Sequence, residues 1–393
     1  MNNSTIVPAK AAGFDEDALE RVKRKLNEEI DAQLYDGAVI LVARGGQIVC
    51  HQAFGQTDLA QRRAARTDDI FLLMSLTKSF TAAAVLQLID QGRLSLHTKV
   101  AEVIPEFGTK GKQRVTIFHL LTHTAGTWRH FCPVPPMGWT EDVGDIAKCV
   151  RAVSNQPLAH MPGERVVYNP WADYTVLAEV VRRLDARKRQ YRDILAQDWF
   201  QPLGMIDTSL GLRLNAPRRV PVRIREAGTG VAEKDVFENY NNLIDEKLER
   251  PAGGVFSTAI DMFQFAEMLR KGGTHAGHRF LSPALLKYSL RNHTGTMPNE
   301  FWDYGKEMHG VQEFPANFML VGGYTRGTGH HLAPFGVLAS PDTFGAIGGG
   351  STMFMVDPER ELSFVFLSAG FLEGLNHFRR LERISDLVLA SID

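Results

Sequence analysis

The chain has 393 residues, 44% hydrophobic and 23% charged, with 44 Lys+Arg against 45 Asp+Glu and a formal net charge of −1. That length allows two lobes around one large core, or two domains, and the balanced charge gives nothing for a polyanion such as nucleic acid to recognise. No basic head followed by an apolar run opens the chain, and nothing reaches the ~18 uninterrupted apolar residues of a membrane span.

Cys50, Cys132 and Cys149 are odd in number and lack C-x-x-C spacing, which predicts packing thiols in a reducing cytoplasm rather than a disulfide framework or a zinc site. Leu19, Val22, Leu26 and Ile30 recur at helical spacing and predict an amphipathic helix from Asp15 to Leu34. "GAVILVARGGQIVCHQAFG" (37–55) reads as two β-branched runs turning at Gly45-Gly46. "SFTAAAVLQLIDQGRLSL" is Ala/Leu-rich, helical in period and stopped by Gly92. Helical patterns follow over 115–122, 142–153, 172–184 and 190–199, then an irregular stretch over 211–250. "TAIDMFQFAEMLRKGG" predicts a helix capped by Thr258, and "STMFMVDPERELSFVFLSAG" (351–370) predicts two strands around Asp357-Pro358, with a last helix over 373–390. Strands at both ends with helices between them imply one antiparallel sheet from the two termini and an inserted helical lobe. The expected division is 1–70 with 250–393 as the sheet domain and 71–249 as the helical lobe, the site lying between them.

"LLMSLTKSF" (71–79) carries the chemistry. A serine hydroxyl is a poor nucleophile until a neighbour takes its proton. Ser75 and Lys78, three apart at a helix entry, share one face, and the free N–H groups there can hold negative charge on a reacting oxygen. Burial can lower a lysine from ~10.4 and free its amine as a base. The spacing alone is weak evidence, since chance supplies on the order of 0.5 such pairs per chain of this size and serine is a favoured N-cap. Other devices are absent: Ser75 and Ser351 do not sit in G-x-S-x-G, no H-E-x-x-H occurs, and "GAIGGGS" lacks the Lys-Ser/Thr ending of a phosphate loop.

"LLMSLTKSFTAAAVLQLIDQGRLSL" resembles the active-serine helix of the serine β-lactamase-like superfamily, closest to class C β-lactamases, D-Ala-D-Ala peptidases and the related family VIII-type esterases and acyltransferases. "HLLTHTAGT" (119–127), "MPGERVVYNPWADYTVLAEVV" (161–181), "AGGVFSTAIDMFQFAEMLRKGG" (252–273) and "FGAIGGGSTMFMVDPERELSFVFL" (344–367) resemble its other segments in the expected order. The resemblance implies an α/β (α+β) β-lactamase/transpeptidase-like fold, with Ser75 as nucleophile and Lys78 and Tyr168 as its proton-transfer partners. Tyr168, beside an ammonium, is expected to have its pKa depressed from ~10. The N–H groups of Ser75 and Gly349 are the implied oxyanion hole.

The chain departs from the family at the third motif, where Ala346-Ile347-Gly348 stands for Lys-Thr-Gly, His-x-Gly or Trp-Gly-Gly. Losing a charge-assisted bond to a substrate carboxylate costs roughly 1.5–3 kcal/mol, which favours neutral acyl esters. It departs again at Asn169-Pro170, where Asn169 can stand in for the missing amide two positions after the tyrosine, while Asp173 matches the esterase branch. "TWRHFCPVPPMGW" (127–139) offers Trp128, Phe131 and Trp139 as an acyl pocket and Arg129 as an alternative anion contact. His123 reads as structural, and His330 is undecided. The expected substrate binders are thus Trp128, Arg129, Phe131, Trp139, Asp173, Ala346, Ile347 and Gly348. The expectation is a cytoplasmic serine esterase or acyltransferase acting on a small ester or acyl donor. No metal, cofactor, nucleic acid or membrane is implied, and the oligomeric state stays open. The alternatives are a β-lactamase or D-amino-acid peptidase/amidase, and a non-catalytic scaffold.

Overall fold

Gly45 and Gly46, at φ 59° and 85°, close the first hairpin. Positive φ at both central residues is what a two-residue turn needs to follow the right-handed twist of its strands. The turn joins β1 (Gly37–Arg44) to β2 (Gln47–Asp58). The computed structural model describes residues 6–58, 60–130, 133–138, 141–223, 240–349, 351–368, 370 and 374–393.

The two termini build one sheet. β3 (Arg63–Ala64), β4 (Phe318–Met319), β5 (Gly323–Thr325), β6 (Phe344–Gly348), β7 (Thr352–Asp357) and β8 (Leu362–Ser368) complete it in the order β3-β2-β1-β8-β7-β6-β5-β4. β1 and β8 pair antiparallel from Ala38 opposite Ser368 to Arg44 opposite Leu362. The β7–β8 turn is held by Asp357, whose Oδ1 accepts from the N–H groups of Glu359 (3.1 Å) and Arg360 (3.2 Å).

Side chains alternate across this sheet, and helices cover both faces. Ile40, Val42, Met353, Met355, Phe364 and Phe366 share an apolar cluster with residues of α1 (Glu16–Asp31) and of α6 (Gly374–Leu389). Val39, Leu41, Phe354, Val356, Val365 and Leu367 face the other way, into the cluster of α2 (Thr77–Asp90) and α5 (Ala259–Arg270). That second cluster continues through α3 (Ile146–Asn155) and α4 (Ala172–Leu184), which pack on each other, α4 also packing on α2. Because α2 is enclosed, its apolar residues wrap around it instead of forming a stripe, and Ala82, Ala83 and Ala84 let neighbouring elements approach closely.

Asp15, Thr258 and Gly92 act where the sequence predicts: Asp15 and Thr258 accept from Ala18 and Asp261, and Gly92 turns with φ 68°. The predicted 115–122 helix contracts to Ile117–Leu121, and the 142–153 helix opens with a 3-10 turn over Glu141–Gly144. The 190–199 helix is α-helical over Tyr191–Leu195 and widens to a π turn over Ala196–Phe200. No helix among the described residues is long and apolar enough to cross a membrane.

Candidate active site

Ser75 lies where three elements are bolted together. Leu73 N–H donates to Val255 O (2.8 Å), and Thr352 Oγ1 donates to Leu73 O (2.9 Å), so one turn is tied to the strand before α5 and to the start of β7. Met74, a non-glycine residue at φ 51°, reverses the chain and starts the 3-10 turn Met74–Leu76 that leads into α2. Gly348 is what lets β6 abut this turn, since a Cβ there would stand 2.2 Å from Leu73 O and 2.3 Å from Thr352 Oγ1. Gly349 therefore follows at the point where the sheet meets the serine.

Two side chains converge on Ser75 Oγ. Lys78 Nζ lies 3.3 Å away, one helical turn on, and Tyr168 Oη donates to it at 2.6 Å from the loop preceding α4. Lys78 is 1% exposed. Its nitrogen also donates to Ala252 O (2.9 Å) and Pro170 O (3.4 Å), and sits 4.9 Å from the Tyr168 ring centroid. Burial, reinforced by the Arg250 charge and opposed by Asp173, holds Lys78 well below the usual lysine range. Both forms of the amine fit these contacts: an ammonium donates to all three oxygens, and a neutral amine donates to the two carbonyls and accepts from the Ser75 hydroxyl. The expected depression of Tyr168 is not found. Burial pushes its phenol up to about 12, against the Ser75 hydrogen bond and Arg250, so it enters as a proton donor and not as a phenolate.

The loop carrying Tyr168 is held from below. Asn299 Oδ1 accepts from Tyr168 N–H (2.9 Å), and the ring packs on Phe301 and Phe318. His123 lies beneath it at 4.7 Å between centroids, with Nδ1 accepting from Asn169 N–H (3.1 Å). That bond puts the proton on Nε2, and burial lowers the imidazole pKa, so the 3.5 Å approach of Asp173 is not an ion pair.

Several expected binders are placed elsewhere. Asn169 does not reach into the site; its amide donates to Thr127 Oγ1 (2.9 Å) and Trp128 O (2.6 Å) while its oxygen accepts from Trp171 N–H (3.0 Å). Asp173 is buried and accepts from Thr127 Oγ1, so it braces the loop and is not offered to a substrate. Arg129 is exposed. Trp128 is half-buried against the helical core, and Phe131 and Trp139 lie outside the described residues. Ala346 is buried in the α2-side core, and Ile347 joins the cluster of Val166, Phe318 and Tyr324 against which Tyr168 packs. Neither side chain presents a polar group. β5 pairs only with Phe344 and Gly345, so no described strand covers the main chain of Ala346–Gly348 on that side. His330 is engaged away from the serine by Asn317 (2.8 Å) and Arg326 (3.2 Å to its carbonyl).

Ala252, Pro170, Asn299 and Arg250 were not legible as site residues. The first two act through carbonyls that any residue carries, and Asn299 acts as a turn acceptor, for which "PNEFW" is the available signal.

Comparison with known proteins identifies the family. The Beta-lactamase family model matches residues 22–388. Protein Rv1367c of Mycobacterium tuberculosis (strain H37Rv) is 29% identical over 290 residues, covering 67% of this chain and 70% of its own. A putative D-alanyl-D-alanine carboxypeptidase of Escherichia coli O157:H7 is 25% identical over 390 residues, 91% of this chain and 83% of that one. Among solved structures, EstCE1, described as a hydrolase with promiscuous acyltransferase activity, superposes with TM-score 0.77 at 21% identity, covering 95% of this chain and 99% of its own. With the match spanning nearly the whole length, this chain belongs to the Beta-lactamase family, within the serine β-lactamase-like superfamily of serine hydrolases.

Proposed function

We propose that the chain hydrolyses carboxylic esters, or transfers their acyl group, through an acyl-Ser75 intermediate. One observation carries the reading: Ser75 Oγ lies 3.3 Å from a buried amine that is also held by two main-chain carbonyls, and 2.6 Å from a phenol. Lys78 takes the Ser75 proton as Oγ attacks the ester carbonyl, and the tetrahedral oxyanion rests on the N–H groups of Ser75 and Gly349. The proton returns through the Tyr168 hydroxyl to the departing alkoxide, which leaves the acyl group on Ser75. Water, an alcohol or an amine then attacks the acyl carbon, and the same two side chains run the proton steps in reverse.

The ester preference is supported by the apolar Ala346 and Ile347 where relatives place a cation for a carboxylate. Transfer to acceptors other than water is supported by the activity described for EstCE1. A reducing, cytoplasmic setting is supported by Cys50 and Cys149, which are buried free thiols. The test compares turnover of p-nitrophenyl butyrate with that of nitrocefin and D-alanyl amides. Faster ester cleavage is expected. Rapid nitrocefin or amide turnover without ester cleavage would replace this reading with the β-lactamase or peptidase one, and no turnover of any would favour a scaffold.

A further inference from the structure

The loop that carries Gly349 has almost no conformation of its own. β6 and β7 pair as far as Gly348 opposite Thr352, so residues 349–351 alone close this hairpin. Gly348, Gly349 and Gly350 follow one another, and glycines take many backbone angles with nearly equal ease. The direction of the Gly349 N–H is therefore set by what anchors the loop. Its base is fixed against Leu73 O, by the close approach of Gly348 and by Thr352 Oγ1 at 2.9 Å. Within the loop, Ser351 is the one residue with a side chain. It is 0% exposed and sits at φ 56°, an angle that a non-glycine residue keeps only when its surroundings hold it there.

Two residues of α6, three apart and so on one helix face, hold that side chain. Arg380 donates to Ser351 Oγ at 2.8 Å, and His377 Nδ1 lies 2.9 Å from the same oxygen. An arginine can only donate, which leaves His377 Nδ1, among the described residues, as the acceptor for the hydroxyl hydrogen. Arg380 has other partners as well, among them Gly370 O at 3.5 Å and the Tyr35 ring, 4.5 Å from its guanidinium carbon. His377 and Ser351 are both buried, so this serine–histidine pair is closed to substrate and is a clamp, not a second nucleophile. We propose that Ser351 is a positioning residue for the oxyanion hole, its clamped hydroxyl fixing the glycine loop that aims the Gly349 N–H at the reacting oxygen. The sheet thereby reaches the nucleophile turn on one side, through Thr352, and the last helix on the other, through Ser351.

The inference rests on the ester-hydrolase reading above, and its test separates the two. Ser351→Gly suits the positive φ and deletes only the clamp, so a purely structural serine would tolerate it. kcat and KM for p-nitrophenyl butyrate are measured with the affinity for n-propylboronic acid, whose tetrahedral adduct on a serine places an oxygen where the oxyanion forms. Ser351→Gly should lower kcat by about 10–10²-fold with KM changed little, and weaken boronate binding in parallel. His377→Leu should do the same, whereas His377→Asn, which carries a polar atom as many bonds from Cα as Nδ1, should regain most of the loss. Thermal unfolding identifies the folded variants, and the His377 pair serves if Ser351→Gly does not fold. Wild-type kcat in folded Ser351→Gly or His377→Leu, a fall in kcat with boronate affinity unchanged, or an Asn variant as impaired as the Leu one overturns the proposal while leaving Ser75 chemistry standing. A wild-type chain that neither takes a fluorophosphonate on Ser75 nor cleaves the ester removes both.

Discussion

Lys78 Nζ donates to the carbonyl oxygen of Ala252 at 2.9 Å, 174 residues away along the chain. Pro170 O (3.4 Å) and Ser75 Oγ (3.3 Å) lie within reach of the same nitrogen, and burial disfavours its charged form.

The pH profile follows from that state. A protonated Lys78 cannot accept the Ser75 proton, so kcat/KM should rise with pH through a limb well below the ordinary 10.5 of lysine. Tyr168 must keep its proton to donate it, so the plateau should not fall until pH nears about 12. A stopped-flow ester assay across pH checks both limbs; an alkaline fall near neutrality would contradict the phenol's assignment.

Removing either proton carrier should act on turnover more than on binding. Lys78→Met and Tyr168→Phe are each expected to lower kcat by about 10²–10⁴ with KM changed little. Steady-state kinetics on a neutral butyrate ester give both constants. A rise in KM at unchanged kcat in Tyr168→Phe would make that residue a substrate contact instead.

Gly348 predicts a coupling between packing and activity. An alanine there collides with Leu73 O and Thr352 Oγ1, both main supports of the nucleophile turn. Overpacking of this kind costs about 1–3 kcal/mol, and the displaced turn should lose activity out of proportion to the fall in Tm. Calorimetry with rate measurement on Gly348→Ala gives the comparison, and wild-type activity in that variant would show that β6 does not fix the serine.

His377 predicts an acid sensitivity of the fold. Its Nδ1 meets Ser351 Oγ at 2.9 Å, and burial beside Arg380 lowers it from 6.5 to about 3. A depressed pKa means that the unfolded chain binds the extra proton between those values, so stability rises with pH across that window and is lost on acidification. Unfolding free energy should fall by roughly 3 kcal/mol between about pH 7 and about pH 4, and His377→Gln should flatten that part of the curve. Urea titrations at both pH values decide it; an equal slope in the variant would place the sensitivity elsewhere.

How much was legible depends on where the information sits. α1 and the Gly45-Gly46 hairpin announce themselves through local periodicity and turn chemistry, as does the Asp357-Pro358 turn. β4 and β5 have two and three residues, too short for any alternation to register; β5 forms on the edge of β6, and β4 on the edge of β5. Ser75, Lys78 and Tyr168 could be named because their side chains are the chemistry. The Asn169 amide and the Asp173 carboxylate were misread because a polar side chain near a site looks the same whether it faces the substrate or, as here, Thr127.

The central claim is covalent, and peptide mass spectrometry of protein quenched during turnover of p-nitrophenyl butyrate tests it most directly. The account predicts a butyryl group on Ser75 that accumulates in wild type and is absent from Ser75→Ala. Ester cleavage by the wild type with the acyl group on another residue, or an unmodified Ser75 in folded protein that turns the ester over, would contradict it.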